Sequence, residues 1–314
     1  MPKLANARHA DQYAPMRSVL SLVAGSGSIL DSKTVELAAD EAVRAGATAA
    51  APAWLAPGRA CDIAFEGDGA AILARARAAL ADQKIDVNVV PEAGRRKRLL
   101  VADMESTIIE NEMLDELADF VGARAHVADI TRRAMNGELD FAAAVRERVA
   151  LLKGLPEAAL AKAMTRVRIM PGAAALVATM RAHGAYTALV SGGFTWFTGR
   201  IKEQLGFDSH QANELIVLGK HIMGRVRDPI LGKEAKEAAL RALAAERGVT
   251  PADAITVGDG ANDLPMLKAA GLGVAYHAKP AVAAEATVRV DQGDLTTLLY
   301  LQGYRDGEIV TGRR

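Results

Sequence analysis

Leu99-Leu100-Val101-Ala102-Asp103-Met104-Glu105-Ser106-Thr107 runs from four apolar residues into two acids and then two hydroxyls. An apolar strand that delivers a carboxylate at its carboxyl end is where open α/β sheets place their chemistry. The segment therefore predicts a buried strand with Asp103 as a catalytic acid. The same device recurs twice: Tyr186-Thr187-Ala188-Leu189-Val190 leads into Ser191-Gly192-Gly193, and Ile255-Thr256-Val257-Gly258 leads into Asp259-Gly260-Ala261-Asn262-Asp263. Each run alone reads only as a buried strand. If the three strands lie parallel, their polar turns meet at one edge of one sheet.

Taken with Lys236, these segments resemble in order the four motifs of the haloacid-dehalogenase-like phosphatases, and among them those of the phosphoserine phosphatases. The resemblance covers about residues 96 to 300. It implies a doubly wound parallel-sheet α/β core with a small helical cap inserted after the first strand. One position departs from the pattern, because the family's first motif has Asp where this chain has Glu105.

Composition bounds the rest. A chain of 314 residues has room for two or three units, and half of its residues are apolar. Lys plus Arg and Asp plus Glu balance at 38 each, which leaves no electrostatic footprint for nucleic acid or an anionic membrane. Cys61 is the single cysteine, so no disulfide within the chain is available, and the histidines show no paired ligand spacing. Met1 to Gln12 is polar where a signal peptide needs its apolar stretch, and no apolar run reaches the ~18 residues of a membrane span. A soluble, cytoplasmic protein is the expectation.

Residues 17 to 90 read as strand, helix, strand, strand, helix, strand: Val19 to Ala24, Asp31 to Ala45, Thr48 to Leu55, Cys61 to Phe65, Gly69 to Asp82 and Ile85 to Val90. That order is the split βαβ pattern. It resembles the amino-acid-binding ACT modules, so residues 1–94 are expected to form an ACT-like βαββαβ regulatory domain. Such modules often pair edge to edge, and the resemblance thereby raises a homodimer. Gly25-Ser26-Gly27-Ser28 lacks the Lys-Ser/Thr of a P-loop and reads as a turn. Pro91 to Arg98, with the run Arg95-Arg96-Lys97-Arg98, reads as a solvated linker. Residues 113–170 are helical in pattern, broken at Asn136-Gly137 and Gly154-Leu155-Pro156. The catalytic core is thus expected over 95–112 and 171–314, with 113–170 as a helical cap.

The resemblance assigns roles to particular residues. Asp103 is the nucleophile that takes the phosphoryl group, and a carboxylate approaching a phosphate dianion needs a cation between them, which implies Mg²⁺. Its ligands would be Asp103, Asp259 and the backbone carbonyl of Glu105, with Asp263 as an anchor. The Glu105 carboxyl would protonate the leaving alkoxide and then deprotonate water, from a position one methylene further out than in the family. Ser191 and the Gly192 amide would hold phosphoryl oxygens, as would Asn262. Lys236 would neutralise the growing charge. Lys233 competes for that role, though its spacing to Asp259 fits the family less well. For specificity, Glu112, nine residues past Asp103, would meet the ammonium of O-phospho-L-serine and Arg148 its carboxylate. Phe141, Val145 and Arg148 share one helical face, whereas Arg146 points elsewhere. Met135 and Phe141 would line the apolar wall.

The leading expectation is a magnesium-dependent phosphatase that hydrolyses O-phospho-L-serine through an aspartyl-phosphate, the last step of serine biosynthesis. One alternative passes the phosphoryl group to another alcohol such as homoserine. Another is an amino-acid sensor silenced by Glu105, against which stands the intact set of Asp103, Ser191, Lys236, Asp259 and Asn262. Nucleotide or sugar phosphates have no ammonium for Glu112.

Overall fold

The computed structural model describes residues 17–135 and 138–312. The break expected at Asn136-Gly137 and the polar leader Met1 to Gln12 lie outside the described residues. The chain divides into two compact units, Met1–Arg95 and Arg96–Arg314.

In the first unit, strands β1 (Ser18–Ala24), β2 (Thr48–Ala49), β3 (Ala53–Ala56), β4 (Ala60–Glu66) and β5 (Ile85–Pro91) form an antiparallel sheet with helices α1 (Ser32–Arg44) and α2 (Gly69–Ala79). β1 lies between β4 and β5, and alternation along it sends Leu20 and Leu22 into a core with Ile63, Phe65, Val35, Ala38 and Ile72. Asp31 caps α1 by accepting from the Thr34 amide. The single extended run expected from Thr48 to Leu55 is in fact two short strands, both paired to β4. Pro52 stands in the gap, where a residue without an N–H cannot continue a ladder.

The basic run spans the boundary between the two units, with Arg96 and Arg98 exposed, and its side chains are also paired. Arg95 lies 2.6 Å from Asp62 within the first unit, with both side chains about 10% exposed. In the second unit Arg96 pairs with Glu308 and covers the Tyr304 ring, while Lys97 donates to the Ala252 carbonyl. A carboxylate as buried as Asp62 requires a charged partner, and a long guanidinium stem can cover an aromatic face while its head stays wet.

The second unit is built on β6 (Leu99–Ala102), whose four residues are fully buried. The chain then makes four helices, α3 (Met113–Asp119), α4 (Arg124–Met135), α5 (Phe141–Ala150) and α6 (Ala158–Met164), and returns through α7 (Ala173–Ala182) to β7 (Tyr186–Phe194). Next come α8 (Thr195–Leu205), β8 (Ser209–Asn213), β9 (Leu215–Leu218), β10 (His221–Val226), α9 (Lys233–Glu246), β11 (Ala254–Gly258) and α10 (Leu264–Ala269). The chain ends with β12 (Leu272–Tyr276), α11 (Pro280–Glu285), β13 (Val288–Val290) and α12 (Thr297–Leu301). Six strands form one parallel sheet in the order β13-β12-β11-β6-β7-β8. β6 is central, with helices supplying the crossovers that parallel strands need.

β9 and β10 form a hairpin outside this sheet that the pattern of alternating helices and strands did not anticipate. Gly219 and Lys220 both have positive φ, as a two-residue primed turn demands. The hairpin reaches the inserted helices: Ile222 exchanges backbone hydrogen bonds with Gly154 and Leu155. Gly224 packs so tightly on α5 that a Cβ there would lie 2.8 Å from Lys153 Cβ. Among the described residues, no helix is long and apolar enough to cross a membrane.

Candidate active site

Register decides which side chains meet. Ala102 is level with Val257 on β11 and Leu189 on β7, so Asp103 and Asp259 leave the sheet at the edge where Ser191-Gly192-Gly193, expected as a turn, instead continue β7 irregularly to Phe194. The Asp103 amide donates to the Val257 carbonyl and continues the ladder one residue further. The Asp103 carboxylate is buried, and its Oδ1 accepts from the Met104 amide at 2.8 Å and from Lys236 Nζ at 2.7 Å. Lys236 lies in the first turns of α9 and also reaches Asp263 Oδ1 at 2.5 Å. The Gly260 amide holds the other Asp263 oxygen at 2.9 Å. Asp263 is thus committed to the protein on both sides. Lys233 begins α9, and its side chain is outside the described residues.

Asp103, Asp259 and Asp263 bring carboxylate oxygens within 4.8 Å of one another. Burial and then Asp263 push the Asp103 carboxyl up to about 8, against the pull of Lys236, and the same two causes push Asp259 up to about 6. Acids crowded together out of water ionise fully only when a cation joins them. Hard oxygen donors in such a cluster suit a divalent ion of the Mg²⁺ kind.

Glu105 lies beside this cluster. Its Oε1 accepts the Met113 amide at 2.8 Å, the first N–H of α3. Burial first and the charge of Glu112 second push its carboxyl up to about 8. Ser106 follows with φ of 55°, and its hydroxyl donates to Glu112 Oε1 at 2.7 Å. A non-glycine residue held in the left-handed region marks a functional loop here, and its strain is offset by that bond.

A pH effect on stability follows from Glu105. Its folded value is raised, so between about 4.5 and 8 the folded state keeps a proton that the unfolded chain has released. Its contribution is fully present below about 4.5 and is lost as pH rises through about 8. In chelator, the melting temperature of the wild type is expected to fall more steeply over that range than that of Glu105→Gln. Parallel slopes in thermal melts would show that Glu105 does not titrate there.

Helices α3, α4 and α5 of the insertion contribute residues to a half-open cavity of about 720 Å³ at this edge. Asp103, Glu105, Asp259, Gly192 and Asn262 line it, together with Glu112, Phe141 and Arg148. Phe141, Val145 and Arg148 all face in from α5, while Arg146 turns outward to Asp228. Burial pulls the Arg148 guanidinium down, opposed by Glu105, Asp115 and Glu112. Ser191, Lys236 and Asp263 stand behind the lining, each almost wholly buried. The Ser191 Oγ accepts the Gly193 amide, which leaves its own hydroxyl proton to donate. Met135 closes α4, and its side chain is outside the described residues.

Other residues at the site carried no signal in the linear pattern. Asp115 and Lys279 line the cavity from α3 and the turn before α11. Asn213, at the end of β8, donates to the Gly192 carbonyl and accepts the Leu231 amide, both at 2.8 Å. It ties the glycine stretch of β7 to the segment that leads into α9. Only Ser106 had a sequence cue, in its place between the acids and Glu112.

Comparison with known proteins agrees with this geometry. The family model for haloacid dehalogenase-like hydrolases matches residues 100–268. A phosphoserine phosphatase of Polaromonas sp. is 45% identical over 210 residues, covering 65% of this chain and 89% of that protein. One from Streptomyces coelicolor is 42% identical over 227 residues, 72% of this chain, which spans only 55% of that relative's length. The unliganded crystal structure of a probable phosphoserine phosphatase from Vibrio cholerae superposes with a TM-score of 0.76 at 33% identity, covering 93% of this chain and 88% of that one. The chain therefore belongs to the haloacid dehalogenase-like hydrolases, and among them to the phosphoserine phosphatases.

Proposed function

We propose that the protein hydrolyses O-phospho-L-serine to L-serine and phosphate through a phosphoryl group carried on Asp103, as the last step of serine biosynthesis. The observation that carries this is that Glu112 and Arg148 line the same cavity as Asp103 and Glu105. An amino-acid phosphate presents an ammonium, a carboxylate and a phosphate, and each finds a complementary group there.

Both known bonds of Asp103 fall on Oδ1, which leaves Oδ2 to attack phosphorus. The Glu105 carboxyl gives its proton to the serine oxygen as the P–O bond breaks. The resulting carboxylate then takes a proton from the water that attacks the phosphorus of the aspartyl-phosphate, which frees Asp103 and restores the acid. Lys236 balances charge at Asp103 throughout, and the Ser191 hydroxyl, the Gly192 amide and Asn262 hold the phosphoryl oxygens. Asp103, Asp259 and the Glu105 carbonyl would hold a Mg²⁺ ion, which would supply the positive charge that lets a carboxylate approach a phosphate, while Asp263 braces Lys236 and the Gly260 turn. The four inserted helices act as a cap that excludes bulk water. The N-terminal unit we read as an ACT-like amino-acid-binding module, with pairing into a dimer and a cytoplasmic setting as its natural context.

The test is phosphate release from L-phosphoserine with and without Mg²⁺. Magnesium-dependent release is expected; none from phosphoserine, with release from a sugar phosphate, overturns the reading. Diversion of phosphate by added homoserine would instead indicate a transferase. The specificity assignment has its own test. Arg148→Ala is expected to lower kcat/KM for phosphoserine by roughly 10- to 100-fold, the worth of a charged hydrogen-bonded contact, while leaving phosphoethanolamine, which has no carboxylate, nearly unchanged. Equal losses on both substrates would place the carboxylate elsewhere.

A further inference from the structure

The family's second acid is an aspartate, and the extra methylene of Glu105 has to be housed somewhere. Its carboxyl lies between two pieces of backbone. On one side the Met113 amide donates to Oε1. On the other is Gly193: a Cβ built there would lie 2.8 Å from Glu105 Oε2, 3.0 Å from Oε1 and 3.1 Å from Cδ. These three nearest atoms all belong to the carboxyl end of Glu105. The neighbouring Gly192 differs, since a Cβ there would meet only Phe141 Cζ at an ordinary 3.5 Å.

The backbone at Gly193 does not itself call for glycine. Its φ lies outside the left-handed range in which glycine is favoured, so an alanine fits the local conformation. Its amide is anchored on Ser191 Oγ, which keeps this stretch of chain in place. A methyl group at position 193 would therefore act on the mobile partner, the Glu105 carboxyl. An aspartate at 105 would withdraw that carboxyl by about 1.5 Å, one carbon–carbon bond, and clear the same space.

We propose that Gly193 is a positioning residue for the proton donor, and that its missing side chain and the length of Glu105 form a matched pair. Gly193 sets how far the Glu105 carboxyl can settle between the end of β7 and the start of α3. The length of the acid is thereby absorbed sideways, against backbone, and the carboxyl is kept from projecting into the space of the phosphoryl group. This inference rests on the phosphatase reading given above.

The experiment compares wild type, Gly193→Ala, Glu105→Asp and the double variant, with kcat and KM for L-phosphoserine in saturating Mg²⁺ and thermal melts of all four. Gly193→Ala is expected to lower kcat on the order of 10²-fold, as a displacement near 1 Å does, with KM changed little and the melting temperature close to wild type. In the Glu105→Asp background the same alanine is expected to cost less than about tenfold, so that the double variant outpaces Gly193→Ala alone. Glu105→Ala supplies a second background: with no carboxyl to displace, its residual rate is expected to be indifferent to Gly193→Ala. Equal losses from Gly193→Ala in every background, or a loss explained by a collapsed melting temperature in every background, overturn the pairing and leave the phosphatase reading standing. A wild type without turnover of phosphoserine overturns both.

Discussion

Asp103→Asn is expected to abolish turnover of phosphoserine, with a loss on the order of 10⁴- to 10⁶-fold, the scale seen when a nucleophile is removed from a covalent mechanism. The substitution is nearly isosteric, and its oxygen can still accept the Met104 amide and the Lys236 ammonium that Asp103 Oδ1 accepts. The fold should therefore survive. The amide keeps both of those bonds and takes an acid out of a site where burial and Asp263 push Asp103 up to about 8, so the metal-free protein should melt close to wild type. The measurement pairs steady-state phosphate release with acid-quenched protein, which should retain phosphoryl label in wild type and none in the variant. Residual turnover within tenfold of wild type would mean that the nucleophile is another group.

Lys236→Met carries the second large effect, on both activity and stability. Lys236 is only 3% exposed and bridges Asp103 and Asp263 at 2.7 and 2.5 Å. Its neighbours hold the ammonium in the charged form: burial lowers its pKa, and the two carboxylates more than restore it. A methionine fills similar volume and leaves two buried carboxylates facing each other. Breaking a buried ionic pair from one side typically costs about 3–5 kcal/mol, so the variant should melt well below wild type in chelator. Part of that deficit should return when Mg²⁺ is added, because a divalent ion can take over the balance of charge. Turnover is expected to fall by about 10²–10³-fold even with Mg²⁺, the usual cost of removing one group that stabilises developing charge. If Lys236→Met melts and turns over like wild type, the ammonium is neither structural nor catalytic, and the reading of the α9 motif fails.

These two experiments fall on residues that the linear pattern already singled out. The stretch from Leu99 to Thr107 is legible because an apolar run that abruptly meets an acid can be buried in only one way, as a strand whose end opens at a sheet edge. The turn after β11 is legible for the same reason, whereas Ser191-Gly192-Gly193, expected as a turn, continue β7. Spacing within one helix also reads directly, which is how Arg148 separates from Arg146 on α5. What the pattern hid depends on contacts between distant segments. Arg95 to Lys97 look like any solvated charge run until Asp62, Glu308, Tyr304 and the Ala252 carbonyl are placed around them. Asn213 looks like an ordinary strand terminus until both ends of its amide are seen to tie Gly192 to Leu231. The β9–β10 hairpin rests on two adjacent positive φ angles, one of them at a lysine, which no composition rule announces.

The sequence by itself determined that this chain has a parallel α/β core and which residues meet at one edge of its sheet, because those properties follow from local apolar runs and the residues that end them, and the resemblance of those segments to the family's motifs supplied the chemistry. Only the tertiary structure decided how an acid one methylene too long is accommodated. That answer lies in the meeting of Glu105 with the Met113 amide and the bare backbone of Gly193, eighty-eight residues further on. Distances between side chains so far apart in the chain are set by how sheet register and inserted helices pack together, and no local pattern encodes them.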